Sequence, residues 1–112
     1  MKTTDNGIPI KLVNDSEHLQ AVVERLCTQP EIAIDTEFDS FNKQYGIQLQ
    51  LVQVFDGTTC FLIDPLEIKN LEALWSVFKD RAICKLDYSG SNDVDILKRH
   101  GCCPVNLFDI QV

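Results

Sequence analysis

Ile32-Ala33-Ile34-Asp35-Thr36-Glu37-Phe38 is the stretch that decides the fold. Its first three residues form a short apolar run, which suits a buried strand. The run then turns acidic without leaving the strand pattern. Side chains two apart on a strand share a face, so Asp35 and Glu37 are expected to stand side by side. Adjacent carboxylates repel, and a core strand gains nothing by ending on a pair of them. A divalent cation removes the repulsion, because hard oxygen ligands are what Mg²⁺ or Mn²⁺ prefers. An isolated Asp-x-Glu is more often two solvated acids at a strand end, so the metal reading needs support from the rest of the chain.

At 112 residues the chain is one domain at most, long enough to bury a real core. An apolar share of 45% and a charged share of 24% are those of a soluble globular domain. No apolar run approaches the ~20 residues of a membrane helix, and residues 1–7 carry no hydrophobic signal region. No membrane partner is expected, and the location expected is cytoplasmic. The five cysteines are odd in number and form no Cys-x-x-Cys, so reduced thiols are the simplest account. His100, Cys102 and Cys103 fit no zinc-ligand spacing. A net charge of −7 argues against a simple basic nucleic-acid binder. It does not exclude a metal-dependent nuclease, whose acids are neutralised by the ions they hold.

Around the central strand, expected over residues 32–36, the pattern supplies the remaining elements. Alternation over residues 8–13 predicts a strand. Asn14 with Glu17 resembles a capping box, and Leu19, Val22, Val23 and Leu26 make the stripe of an amphipathic helix that Pro30 closes. Residues 39–46 read as a loop. Residues 47–55 read as a strand with Leu49, Leu51 and Gln53 on one face and Gln50, Val52 and Val54 on the other. Asp56-Gly57 is a two-residue hairpin signal that returns the chain antiparallel through residues 58–63. Leu71, Leu74, Trp75 and Phe78 make a second helical stripe, with Trp75 as a core anchor. Residues 82–86 make a strand, residues 92–100 a third helix with Gly101 as its stop, and residues 105–112 begin a further element. The order implies a mixed α/β sheet covered by helices. Asp93 falls in the first turn of the third helix, where the dipole alone would account for an acid. The same position, beside a strand end, also suits a third carboxylate aimed at Asp35 and Glu37.

Asp35-Thr36-Glu37-Phe38 resembles the first motif of the RNase D-like 3′–5′ exonucleases of the DEDD superfamily, which use an RNase H-like fold. Residues 49–54 and 61–66 resemble that family's next two strands. Ser89-Gly90-Ser91-Asn92-Asp93-Val94 resembles its second motif, with Asp93 at the aspartate. Leu107-Phe108-Asp109-Ile110-Gln111 resembles the segment opening the next helix, and Asp109 there is not a ligand. The matches occur in the family's order and spacing from Glu31 onward. Tyr88 stands where the family commonly has a histidine, a change expected to alter local hydrogen bonding rather than metal binding. The third motif, which carries the last metal-binding aspartate, would lie beyond Val112.

The resemblance implies an RNase H-like mixed sheet, an antiparallel hairpin plus parallel strands flanked by helices, incomplete at the C-terminus. Residues 1–112 would be the N-terminal part of an exonuclease domain: 1–30 a leading strand and helix, 31–112 the core with motifs I and II. It implies phosphodiester hydrolysis at RNA or single-stranded DNA 3′ ends with two Mg²⁺ or Mn²⁺ ions. Asp35, Glu37 and Asp93 would be the catalytic metal ligands. Thr36, Phe38, Phe41 and Tyr88 would touch substrate, although core packing is the simpler role for Phe38. Lacking the third motif, such a piece would have low activity, and the surface left open would favour a homodimer. Two other readings compete. One is a non-catalytic relative that binds or scaffolds. The other is a phosphoacceptor receiver domain using Asp35, Glu37 and Lys85, which the Asp56-Gly57 hairpin opposes because a receiver sheet is all parallel.

Overall fold

The computed structural model describes residues 2–3, 7–39, 48–87 and 92–109, with Lys2, Thr3, Asp39, Asn92, Asp93 and Asp109 described by backbone alone. Among the described residues seven strands make one sheet: β1 (Lys2–Thr3), β2 (Pro9–Val13), β3 (Glu31–Asp39), β4 (Gln48–Phe55), β5 (Cys60–Ile63), β6 (Cys84–Asp87) and β7 (Leu107–Asp109), in the order β1-β2-β5-β4-β3-β6-β7. Strand β4 is antiparallel to β3 and β5, β1 is antiparallel to β2, and the β2–β5, β3–β6 and β6–β7 pairs are parallel. The described residues also form three helices: α1 (Ser16–Leu26), α2 (Glu72–Phe78) and α3 (Asn92–Arg99). No described helix is long and apolar enough to cross a membrane.

All three helices pack on one face of the sheet. Leu19, Val22, Val23 and Leu26 of α1, Leu74, Trp75, Val77 and Phe78 of α2, and Ile96 and Leu97 of α3 join one core with Ile32 and Ile34 of β3, Val52 and Val54 of β4, and Phe61 and Ile63 of β5. These are the stripes and alternations expected from the sequence, and Trp75 is the buried anchor foreseen. The other face carries Ile10, Leu12, Ala33, Leu51, Phe55, Leu62 and Leu86. These are half-buried or exposed, Leu12 to 60%, and no described element covers them.

Local chemistry sets the details. Helix α1 is capped by Asp15 rather than Asn14: Oδ1 accepts from the His18 backbone N–H at 2.8 Å and Oδ2 pairs with His18 Nδ1 at 2.6 Å. Those bonds, the backbone one first, hold the exposed Asp15 carboxyl below its ordinary value. The β4–β5 connection is four residues rather than two. Asp56 Oδ1 accepts from Thr58 N–H and Thr59 N–H, at 2.9 and 2.8 Å, and Gly57 takes φ 100°. Arg25 braces this turn against α1, its Nε 2.6 Å from Asp56 Oδ2 and its guanidinium 5.4 Å from the centre of the Phe61 ring. Lys85 is wholly buried, and its Nζ donates to the carbonyls of Asp80 and Ile83, both at 2.7 Å. Both carbonyls belong to the connection between α2 and β6. Residues 107–109 form a strand parallel to β6, not the opening of a helix: Leu107, Phe108 and Asp109 pair with Lys85, Leu86 and Asp87.

Candidate active site

Strand β3 carries the site, and the register of its neighbours places each group. Asp35 and Glu37 share the uncovered face, with Gln53 and Leu51 of β4 as their respective cross-strand partners. Between Glu37 and Phe38 the register shifts: Glu37 opposes Leu51, but Phe38 opposes Leu49. Gln50 is therefore the extra residue of a β-bulge, a device that bends a strand and re-aims its side chains. The bulge reverses the expected facing of Leu49. It joins Val52 and Val54 in the core, and Gln50 is exposed instead.

Asp35 is half-buried, and its Oδ1 is buried with no hydrogen-bond partner among the described residues. A carboxylate oxygen in that condition costs free energy that a partner must offset. Beside it the sheet forms a shallow concavity of about 180 Å³, lined by Ala33, Asp35, Gln53, Phe55 and Cys60. Glu37 is exposed at its end. Two hard oxygen donors on one face, one of them orphaned, fit a divalent cation. Among the described residues no three metal-ligating side chains gather.

Topology sets where the helix that carries the third expected ligand begins. Strand β6 runs parallel to β3, with Asp87 level with Ile34, and α3 starts five residues further on. The first turn of α3, which holds Asp93, therefore follows from the same sheet end as Asp35 and Glu37; the Asp93 carboxylate lies outside the described side chains. Phe41 and Tyr88 lie outside the described residues altogether.

Two expectations about β3 change. Thr36 is 5% exposed and belongs to the helix-covered face, so its side chain is a core group. Phe38 goes the other way: core packing was the simpler role, yet its ring is 36% exposed beyond the carboxylate pair. Sequence reasoning also passed over Asp87, a completely buried carboxylate at the end of β6. The only signal for it was an acid where the strand pattern wants an apolar side chain.

Residues 10–112 match the family model for the 3′–5′ exonuclease domain. The chain belongs to the 3′–5′ exonuclease family. Among members of this exonuclease family, Ribonuclease D of Shewanella sp. (strain ANA-3) is 37% identical over 101 residues, 89% of this chain and 26% of that protein. Escherichia coli RNase D, an exoribonuclease involved in structured RNA processing, has a crystal structure that superposes with a TM-score of 0.80 at 32% identity, covering 91% of this chain and 27% of that one. Trypanosoma brucei RNase D, solved in complex with RNA U12, superposes with a TM-score of 0.80 at 27% identity over 91% of this chain and 37% of that one. The architecture is the RNase H-like α/β fold, and the chain spans about a quarter of the length of the ribonuclease D proteins it matches.

Proposed function

We propose that this chain supplies the first two catalytic motifs of an exonuclease that trims single-stranded RNA from its 3′ end. The observation that carries this reading is the orphaned, buried Oδ1 of Asp35 with Glu37 on the same face. Asp35, Glu37 and Asp93 would hold Mg²⁺ or Mn²⁺. A bound pair of such ions supplies an activated water and stabilises the departing oxygen. The chain's own residues do the rest. The core side chains of Ile34 and Thr36 pin β3, so the intervening Asp35 is fixed in direction. The exposed Phe38 ring offers a stacking surface for the terminal base. RNA rather than DNA is favoured by the relatives, which are ribonucleases.

The test is Mn²⁺-dependent trimming of a 3′-labelled single strand by a longer chain containing this segment. Asp35→Ala should abolish it, and equal trimming by both proteins would end the nuclease reading.

Two subsidiary proposals go with it. The uncovered face, from Ile10 and Leu12 across to Leu86 and Phe108, supports self-association of the 112-residue chain, since apolar sheet left in water is unfavourable. All five cysteines are free, which supports a reducing, cytoplasmic setting.

A further inference from the structure

We propose that Gln53 is a positioning residue: its carboxamide donates a hydrogen bond to Asp35 and holds that carboxylate to the ion. This inference rests on the metal reading above. Register places the two residues side by side, because Asp35 and Gln53 are direct cross-strand partners on the uncovered face. Such partners stand with their Cβ atoms roughly 4.5–5.5 Å apart, and the amide of a glutamine extends well beyond its Cβ. Both residues line the same concavity of about 180 Å³.

The surroundings of Gln53 are otherwise apolar. Its row across the sheet runs Leu12, Leu62, Gln53 and Asp35, over β2, β5, β4 and β3. Along β4 its neighbours on that face are Leu51 and Phe55. Asp35 is therefore the one polar side chain directly beside it, with Glu37 on the diagonal. An apolar side chain here would extend the row begun by Leu12 and Leu62, and a half-buried carboxamide forgoes that burial. A chain departs from the pattern its fold asks for mainly where a site requires it. Seen from the other partner, the neighbours of Asp35 on the face are Ala33, Glu37 and Gln53. Gln53 is the one hydrogen-bond donor among them, and the Asp35 Oδ1 is buried with no partner among the described residues.

The chemistry of the pair follows from charge. A carboxylate that gives one oxygen to an ion leaves the other in need of a donor, and ligating carboxylates are commonly oriented by such a bond. A carboxamide supplies that donor without a charge of its own, so it does not compete with the ion as an ammonium would. Both ends of the bond are held by the fold. Val52 and Val54 on either side of Gln53 are fully buried, as Ile34 and Thr36 are on either side of Asp35. Donor and acceptor thus meet from two pinned strands, which is how a site keeps a ligand's direction. Hydrogen bonds of this kind tighten when the site is loaded.

Gln53→Met keeps the length of the side chain and removes the donor. Calorimetric titration with Mn²⁺ should find its affinity about tenfold or more below that of the wild type. Its melting temperature in EDTA should stay at or above the wild-type value, because the new side chain extends the apolar row. Gln53→Leu should behave in the same way. In the longer chain used for trimming, excess Mn²⁺ should restore the rate of Gln53→Met, with KM for the oligonucleotide unchanged throughout. Wild-type Mn²⁺ affinity in both variants would overturn the inference. So would an affinity loss that comes with a lowered melting temperature in both, or a raised KM that excess Mn²⁺ does not relieve. If Asp35→Ala loses Mn²⁺ binding while Gln53→Met and Gln53→Leu bind as the wild type does, the metal site stands and the role of Gln53 alone falls. If the wild type binds no Mn²⁺, the metal reading fails and this inference fails with it.

Discussion

Replacing Asp35 by Asn should make the metal-free protein more stable, not less. Side chains two apart on a strand are spaced ~6.6 Å, and two unit charges at that distance repel by about 0.6 kcal/mol in water and about 2.5 kcal/mol at an effective dielectric of 20. Glu37 is exposed, so the lower half of that range applies, about 1 kcal/mol. The buried Oδ1 adds to it: an unpaired buried polar group costs about 1–3 kcal/mol, more when charged, and an amide removes only the charged part. Together the change is worth about 1–2 kcal/mol, a rise in Tm of about 3–8 °C for a domain of this size. Thermal unfolding in EDTA, followed by far-UV circular dichroism, measures it. Addition of Mn²⁺ should then reverse the ranking. Binding at a hundredfold excess over Kd stabilises the native state by about 2.7 kcal/mol, a gain that the wild type should show and Asp35→Asn should lose. If Asp35→Asn melts below the wild type in EDTA, or if both gain equally from Mn²⁺, Asp35 is a structural residue and the reasoning fails.

Other consequences can be measured on the same chain. Lys85→Met should cost about 1–3 kcal/mol in urea unfolding, because it takes the Lys85 donor from the buried Ile83 carbonyl, while the Asp80 carbonyl keeps the Ile83 N–H. Burial holds the Lys85 amine below its ordinary 10.5, with Asp80 opposing that shift, so the unfolded chain binds the extra proton between the two values. Wild-type stability should therefore rise with pH on approaching 10.5, and the Met variant should lose that slope. For Asp56, burial pushes the carboxyl up but the Thr59 and Thr58 N–H groups, the Thr58 hydroxyl and Arg25 together hold it below 3.8. Its contribution is present above 3.8 and fades as pH falls through the lowered value, so Asp56→Asn should be less stable than the wild type at pH 7 by about 1–3 kcal/mol and converge toward it in acid melts. Leu12→Lys with Phe108→Lys should shift sedimentation of the 112-residue chain from dimer toward monomer; a wild type that is already monomeric at tens of micromolar would remove the self-association proposal.

Much of the architecture could be read from the order of residues because burial writes a period into them. The stripes Leu19-Val22-Val23-Leu26 and Leu71-Leu74-Trp75-Phe78 fold as read, apart from Leu71, which precedes the first turn of α2. What periodicity missed was set by single interactions. Nothing in a strict alternation announces that Gln50 would bulge and send Leu49 inward. Asp15 rather than Asn14 takes the cap because its carboxylate reaches both the backbone and the ring of His18. Residues 107–109 extend because β6 offers them a free parallel edge, a tertiary effect with no local signature. For the site, spacing alone showed that Asp35 and Glu37 share a face, and their reading as metal ligands came from the resemblance. That α3 follows from the sheet end where Asp35 and Glu37 lie came from the parallel pairing of β6 with β3, a tertiary feature.

The most direct test of the whole account is calorimetric titration of the chain with Mn²⁺, comparing wild type with Asp35→Ala, Glu37→Ala and Asp93→Ala. The account predicts measurable binding by the wild type and at least a tenfold loss of affinity in each variant, Asp93→Ala included. Wild-type affinity retained in Asp93→Ala would contradict it, because the helix-borne acid would then lie outside the site that β3 builds.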